Sequence, residues 1–396
     1  MRTALVIGAG VAGPVVAMAL QQAGIAVEVF EGTETGADEL GSWLTLQVNG
    51  LDALRAIDAH AAVAPLGFPT LRMRFFSGTG KELGVMSMGD PLPDGTVPRL
   101  VPRAGLYRAL RDEAVRRGVR IHYGKRLADA SSSATGVRAT FTDGTTADGD
   151  LLIGCDGIRS RVRTLIDQAA PAARYVPVLN VGGYVPDLAV DAPPDEFQMM
   201  FGKRCFFGWA RSPSGGVGWF ANPPQRDEPR RGELAAITDA EWRARLIDLL
   251  SVDDSPACDI VRAAPGPLFG WATYDMPPVP HWHRDRMVII GDAAHATSPA
   301  SGQGASMALE DAIVLAKCLR DVSDVEHAFA TFDAIRRSRV EAVVEVGKRG
   351  SSQKAAGPVG RVIRDAMMPV ILKRLASKGG ASPDWLHRHH IEWDEP

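Results

Sequence analysis

Near the start of the chain, Gly8-Ala9-Gly10-Val11-Ala12-Gly13 has the spacing with which a backbone grips a pyrophosphate. Gly8 permits a tight turn out of a strand, Gly10 lets the backbone approach the phosphates, and Gly13 allows helix and strand to pack closely. Val11 and Ala12 open a helix whose free N–H groups and partial positive charge face those phosphates. Glu31 stands near the ~20-residue spacing at which a carboxylate accepts from ribose hydroxyls. The same carboxylate would repel a 2′-phosphate, so FAD or NAD suits this motif and NADP does not.

Two later turns have a related chemistry. Asp156-Gly157-Ile158-Arg159 follows one apolar run, and Gly291-Asp292 follows another. Asp292 can accept from the hydroxyls of a sugar-like chain. Beyond it, Ser298 to Gly304 brings bare backbone to the start of a further helix, where N–H groups would stabilise negative charge on a reduced ring. Three Gly/Asp turns at strand ends converge on one crevice in a doubly wound sheet, and one long ligand explains all three.

The elements that must position these turns follow from apolar patterning. Ala4 to Ile7 is a continuous apolar run and Ala26 to Phe30 a second apolar run, and they flank a helical stretch, Ala12 to Ala23, which is a βαβ unit. Leu151 to Ile153 and Met287 to Ile290 are further core strands. From Ala170 to Val279 the chain is proline-rich, with short aromatic strands such as Phe197 to Phe201, Cys205 to Ala210 and Val217 to Ala221 that read as hairpins. Leu71 to Phe76 and Glu82 to Met88 alternate similarly and join that sheet. Ala305 to Leu319 and Val325 to Val346 are helical in pattern, and a polar stretch from Gly347 to Gly360 precedes a final helix. The expected fold class is α/β: a Rossmann-like dinucleotide-binding domain with a parallel sheet (1–70, 97–170 and 281–396, with the C-terminal helices), and an inserted, mostly antiparallel β-sheet substrate domain (71–96 and 171–280).

With 396 residues, the chain exceeds the ~250–300 at which a single core stops growing. Its formal charge of -3 gives no electrostatic case for nucleic acid or an anionic membrane surface and makes small molecules the expected partners. Cys155, Cys205, Cys258 and Cys318 lie far apart, so neither zinc nor a disulfide framework is indicated and a cytoplasmic setting is expected. No apolar run reaches the ~18–20 residues of a membrane span. A monomer or weak homodimer is expected.

Taken together, Gly8 to Gly13, Asp156-Gly157, and Gly291-Asp292 continuing through Pro299 and Gly302-Gln303-Gly304 resemble the fingerprints of group A, single-component FAD-dependent monooxygenases. That family includes aromatic-ring hydroxylases and tetracycline-modifying enzymes, and the resemblance, to its compact subgroup, spans nearly the whole chain. It implies that FAD is the cofactor, that Arg103 supports it and that Leu127 meets the adenine through its backbone. Asp156 and Arg159 would serve both FAD binding and docking of NAD(P)H as a transient reductant. The implied chemistry is reduction of the flavin, addition of O₂ to give a C4a-hydroperoxide, and hydroxylation of a small aromatic or polyketide-like substrate. A flavin halogenase or other flavin oxidoreductase on the same fold is the alternative, weakened by the absence of W-x-W-x-I-P; an NAD-dependent dehydrogenase is another.

No dedicated catalytic acid or base emerges. His295 reads as a base or as a side chain packing its turn, with packing favoured, and His281 and His283 lack a ligand-spaced acid for a metal. Tyr184, Phe207, Trp209, Trp219 and Pro299 are the candidates for meeting a flat substrate, although alternation sends about half of any strand's residues to a core. Arg336, Arg337 and Arg339 read as a solvated helix face.

Overall fold

A computed structural model of the chain describes residues 2–35, 43–298, 301–352, 357–377 and 384–395. The strands Thr3–Ile7, Ala26–Phe30, Leu151–Gly154 and Met287–Ile289 lie parallel. With both faces of this sheet covered, alternation vanishes and the strands read as apolar runs. Arg120–His122 adds a parallel edge and His283–Arg284 an antiparallel one, completing six strands. Thr3–Ile7 pairs on one side with Ala26–Phe30 and on the other with Leu151–Gly154. The winding direction therefore reverses at its carboxyl end, where such sheets open a crevice. Helices Ala12–Gln22 and Gly304–Asp321 pack on each other beside this point.

A seven-stranded sheet is built from Arg72–Ser77, Glu82–Ser87, Arg174–Val185, Glu196–Phe201, Phe206–Arg211, Val217–Asn222 and Gly270–Asp275. It is antiparallel except where Glu196–Phe201 runs parallel to Arg72–Ser77. Its far face is covered by helices Asp239–Leu250 and Ala257–Ala263. Its near face meets Phe68 and Leu100 of a small sheet (Trp43–Leu46, Phe68–Pro69, Arg99–Pro102) and Leu372 of helix Pro358–Ser377.

Two expectations need correction. The proline-rich region holds helices as well as strands, and Asp239–Leu250 begins with a reciprocal cap: the Thr238 hydroxyl accepts from the Glu241 N–H, and the Glu241 carboxylate accepts from the Thr238 N–H. The polar stretch expected from Gly347 is helical as far as Ser352, as part of helix Val325–Ser352. Among the described residues no helix is long and apolar enough to cross a membrane.

Candidate active site

The glycines of the first turn divide by what surrounds them. Gly8 has φ +104°, its N–H donates to Phe30 O at 2.8 Å, and a Cβ there would lie 2.4 Å from Cys155 O. A Cβ on Gly13 would lie 1.9 Å from Gly8 O. The protein's own packing requires both. Gly10 differs, because a Cβ there would meet no protein atom within 4 Å. The space beside its backbone is open, as a ligand's pyrophosphate needs. Val11 precedes the helix without a side-chain cap, and Ala12 is buried, so the first-turn N–H groups remain available to an anion.

Glu31 closes this turn from the neighbouring strand. One carboxylate oxygen accepts from the Ala9 N–H at 2.8 Å, the other from the Thr33 N–H and hydroxyl, both at 2.9 Å. A carboxylate offers about four acceptor sites, so capacity remains for a sugar hydroxyl. Leu127 is brought alongside, since the Lys125 N–H donates to Glu31 O at 2.8 Å and a Cβ on Gly32 would lie 3.6 Å from Arg126 Cα.

In the second turn, Asp156 accepts from the Ser160 hydroxyl at 2.5 Å and from the N–H groups of Arg161 and Val162 at 2.7 and 3.1 Å. Burial pushes its carboxyl up, and these hydrogen bonds oppose the shift. Asp156 thus fixes its own turn and starts helix Arg161–Ile166. Arg161 also donates to Ala128 O at 2.8 Å, tying the turn to Leu127's strand. Arg159 points elsewhere: it is exposed, with its guanidinium 5.3 Å from the ring centroid of Tyr274 on the edge of the seven-stranded sheet.

The third turn touches both helices at the crevice. A Cβ on Gly291 would lie 3.1 Å from Ala308 Cβ and 3.6 Å from Ala12 Cβ. Asp292 is exposed to solvent, yet burial is the main cause raising its carboxyl, with the charges of Arg103 and His295 opposing. Many protein atoms surround it, yet water reaches it, beside the crevice where the sheet's winding reverses. Arg103 opens helix Arg103–Arg116 and donates to Tyr107 Oη at 2.7 Å. Gly302 has φ +62° with Gln47 Nε2 3.6 Å from its Cβ position, and Gly304 has only Thr297 Cγ2, at 3.7 Å. Pro299 lies outside the described residues.

Behind this cleft is a buried charge network that the sequence reading misassigned. Arg336 is fully buried, donating to Asp311 at 2.8 Å and Glu310 at 2.6 Å; Arg339 donates to both Glu310 oxygens at 2.7 and 2.8 Å. These arginines are not a solvated face, because Glu310 and Asp311 interrupt the apolar helix Gly304–Asp321 and need cations where no water reaches. Arg337 alone of the three stays near the surface, paired with Asp333. Burial works to raise the Asp311 carboxyl, but the charges of His295 and Arg336 hold it well below the usual carboxylate range. His295 lies 2.5 Å from Asp311, and the Gly291 N–H donates to the same oxygen at 2.9 Å, so His295 secures the Gly291 turn. Gln303, also fully buried, accepts from Asn49 at 3.0 Å, and Asn49 donates to Glu310 at 2.6 Å. The adjacent acids within an apolar helix were the available signal.

The expected substrate residues separate by face. Phe207, Trp209 and Trp219 are corrected: they pack with Trp242, Leu246 and Ile260 on the far side of the sheet, where the two unforeseen helices cover them. The near face carries Phe197, Met199, Phe206 and Phe220. Tyr184 is half-buried on the near face, but its hydroxyl donates to Gly215 O at 2.7 Å. Trp43 stands 5.6 Å from the Tyr184 ring, between centroids, and was not foreseen.

Comparison with known proteins bears on the same cleft. FAD-dependent urate hydroxylase of Klebsiella pneumoniae is 29% identical over 350 residues, covering 86% of this chain and 87% of that protein. The 6-hydroxynicotinate 3-monooxygenase of Pseudomonas fluorescens is 28% identical over 358 residues, covering 86% and 89%. The crystal structure of Klebsiella pneumoniae HpxO complexed with FAD and uric acid matches with a TM-score of 0.85 at 27% identity, over 97% of this chain and 96% of that one. The family described as FAD binding domain matches residues 1–346. The family model covers most of the chain, and the protein belongs to this FAD-binding family of single-component aromatic hydroxylases and monooxygenases.

Proposed function

We propose that this chain uses NAD(P)H and O₂ to hydroxylate a small, planar, electron-rich aromatic compound. The bound FAD supplies oxygen activation and transfer, while the protein binds, orients and excludes water. Glu31 holds the ribose, and the N–H groups at Gly10, Val11 and Ala12 hold the pyrophosphate, with Gly8 and Gly13 shaping the turn. Arg103 and Leu127 support the nucleotide end, and Asp292 accepts from the sugar-like chain. Backbone N–H groups near Gly302, Gln303 and Gly304 stabilise negative charge at the ring's edge. Asp156 sets the second turn so that Arg159 receives the nicotinamide nucleotide at the surface.

The observation that carries the substrate class is the half-buried aromatic wall of Trp43, Tyr184 and Phe220 on the near face. Flat rings favour a flat guest. The urate and hydroxynicotinate named for the relatives support the same class. The test is NAD(P)H oxidation by the yellow holoenzyme across hydroxylated aromatic heterocycles, simple phenols and polyketide-like polycycles, with products read by mass. A heterocycle or phenol that accelerates oxidation and gains one oxygen supports the reading; acceleration only by polycycles, or by nothing, overturns it.

A further inference from the structure

Helix Pro358–Ser377 has two apolar faces. One is docked: Leu372 is buried in the near-face cluster with Met368 beside it, and a Cβ on Gly84 would lie only 2.8 Å from Leu372 Cδ1. The other has no partner among the described residues. Val362, Ile363, Met367, Val370 and Ile371 are exposed, Val362 at 71%, and Ile363, Met367, Val370 and Ile371 follow the spacing of one helical stripe. Since the helix is held by its other face, the stripe is a feature of the folded protein.

Charge is concentrated in the same stretch. Between residues 347 and 380 the sequence carries Lys348, Arg349, Lys354, Arg361, Arg364, Lys373, Arg374 and Lys378 against one acid, Asp365, in a chain whose formal charge is -3. Lys373 and Arg374 are exposed, Arg361 donates to Lys203 O, and Lys203 and Arg204 are themselves exposed. The whole-chain sum conceals this local excess.

We propose that this helix face docks on an anionic lipid surface. An apolar stripe bordered by cations suits an interface in which the stripe enters the acyl boundary and the cations meet acidic headgroups. A second copy meeting helix to helix would oppose like charges. A nucleic acid would leave the stripe unmatched. The inference is independent of the proposed substrate.

The test is co-sedimentation of the full-length holoenzyme with vesicles of phosphatidylcholine alone or mixed with phosphatidylglycerol, at low and high salt. Binding to the mixed vesicles that weakens with salt is expected. Val362→Asp with Met367→Asp should lower it by about tenfold or more. Lys373→Gln with Arg374→Gln should weaken binding and flatten its salt dependence, and guards against loss of folding in the first variant. FAD content and melting temperature should stay at the wild-type level. Absence of phosphatidylglycerol-dependent binding, or salt-insensitive binding, overturns the proposal. So does a concentration-dependent dimer that Val362→Asp with Met367→Asp dissolves, which would assign the face to a second copy.

Discussion

The Gln303 side-chain amide donates to Nδ1 of His387 at 3.2 Å, so a residue close to the end of the chain holds the residue that precedes helix Gly304–Asp321. Burial, assisted by the Arg339 charge, pushes the His387 imidazole down to about 4. In an unfolded chain it titrates near ~6.5, so the unfolded state takes up the proton first as pH falls. Stability from this group is complete above about pH 6.5 and is lost as pH falls toward about 4, on the order of 2–3 kcal/mol across the window. His387→Asn should lose less melting temperature than wild type between about pH 7 and about pH 5. Parallel decreases in the two proteins would remove His387 from the account.

Arg336→Met should destabilise the fold by about 3–5 kcal/mol, because Glu310 and Asp311 would be left buried beside a missing cation. Urea unfolding measures it. A midpoint within error of wild type would contradict the network described.

Gly10 and Gly13 should respond oppositely to small side chains. Gly13→Ala forces a Cβ to 1.9 Å from Gly8 O and should impair folding itself. Gly10→Val meets no protein atom at its Cβ, so the chain should fold but take up FAD poorly. Circular dichroism with flavin absorbance separates the two, and a Gly10→Val protein with full flavin would place the ligand elsewhere.

Glu31→Ala should weaken FAD binding by about 1–3 kcal/mol, through loss of the ribose acceptor and of the support to the Ala9 N–H. Titration of apoprotein by flavin fluorescence reads this directly. An unchanged dissociation constant refutes the assignment.

Arg159→Ala should slow flavin reduction by NAD(P)H while leaving flavin occupancy intact, because Arg159 is exposed over Tyr274 while Asp156 and Arg161 secure the turn. Stopped-flow reduction is the measurement. Loss of flavin with normal reduction of what remains would reverse the roles.

Thr3–Ile7 and Leu151–Gly154 are legible in sequence because burial on both faces turns them into apolar runs, and Ala26–Phe30, half-buried around Glu28, can still be located to the residue. The aromatic strands are harder. Alternation shows that Phe206 and Phe207 face opposite ways but not which way is the cleft. Helices Asp239–Leu250 and Ala257–Ala263 decide it by covering one face, and their setting in a proline-rich region of short strands hides them apart from the Thr238 cap. Long-range ion pairs have no local period at all. Glu310 with Arg336 and Arg339, and Gln303 with His387, are contacts that only the folded chain brings together.

Strand Leu151–Gly154 has Thr3–Ile7 on one side and Met287–Ile289 on the other. During synthesis its second edge stays open while the ribosome adds five strands of the seven-stranded sheet, from Arg174 to Asp275. An apolar strand with unpaired backbone is a template for pairing between chains. Nascent chains that stop before Met287 therefore carry a sticky edge, and yield of native protein depends on how promptly translation reaches that strand or on a chaperone that shields the edge until it arrives.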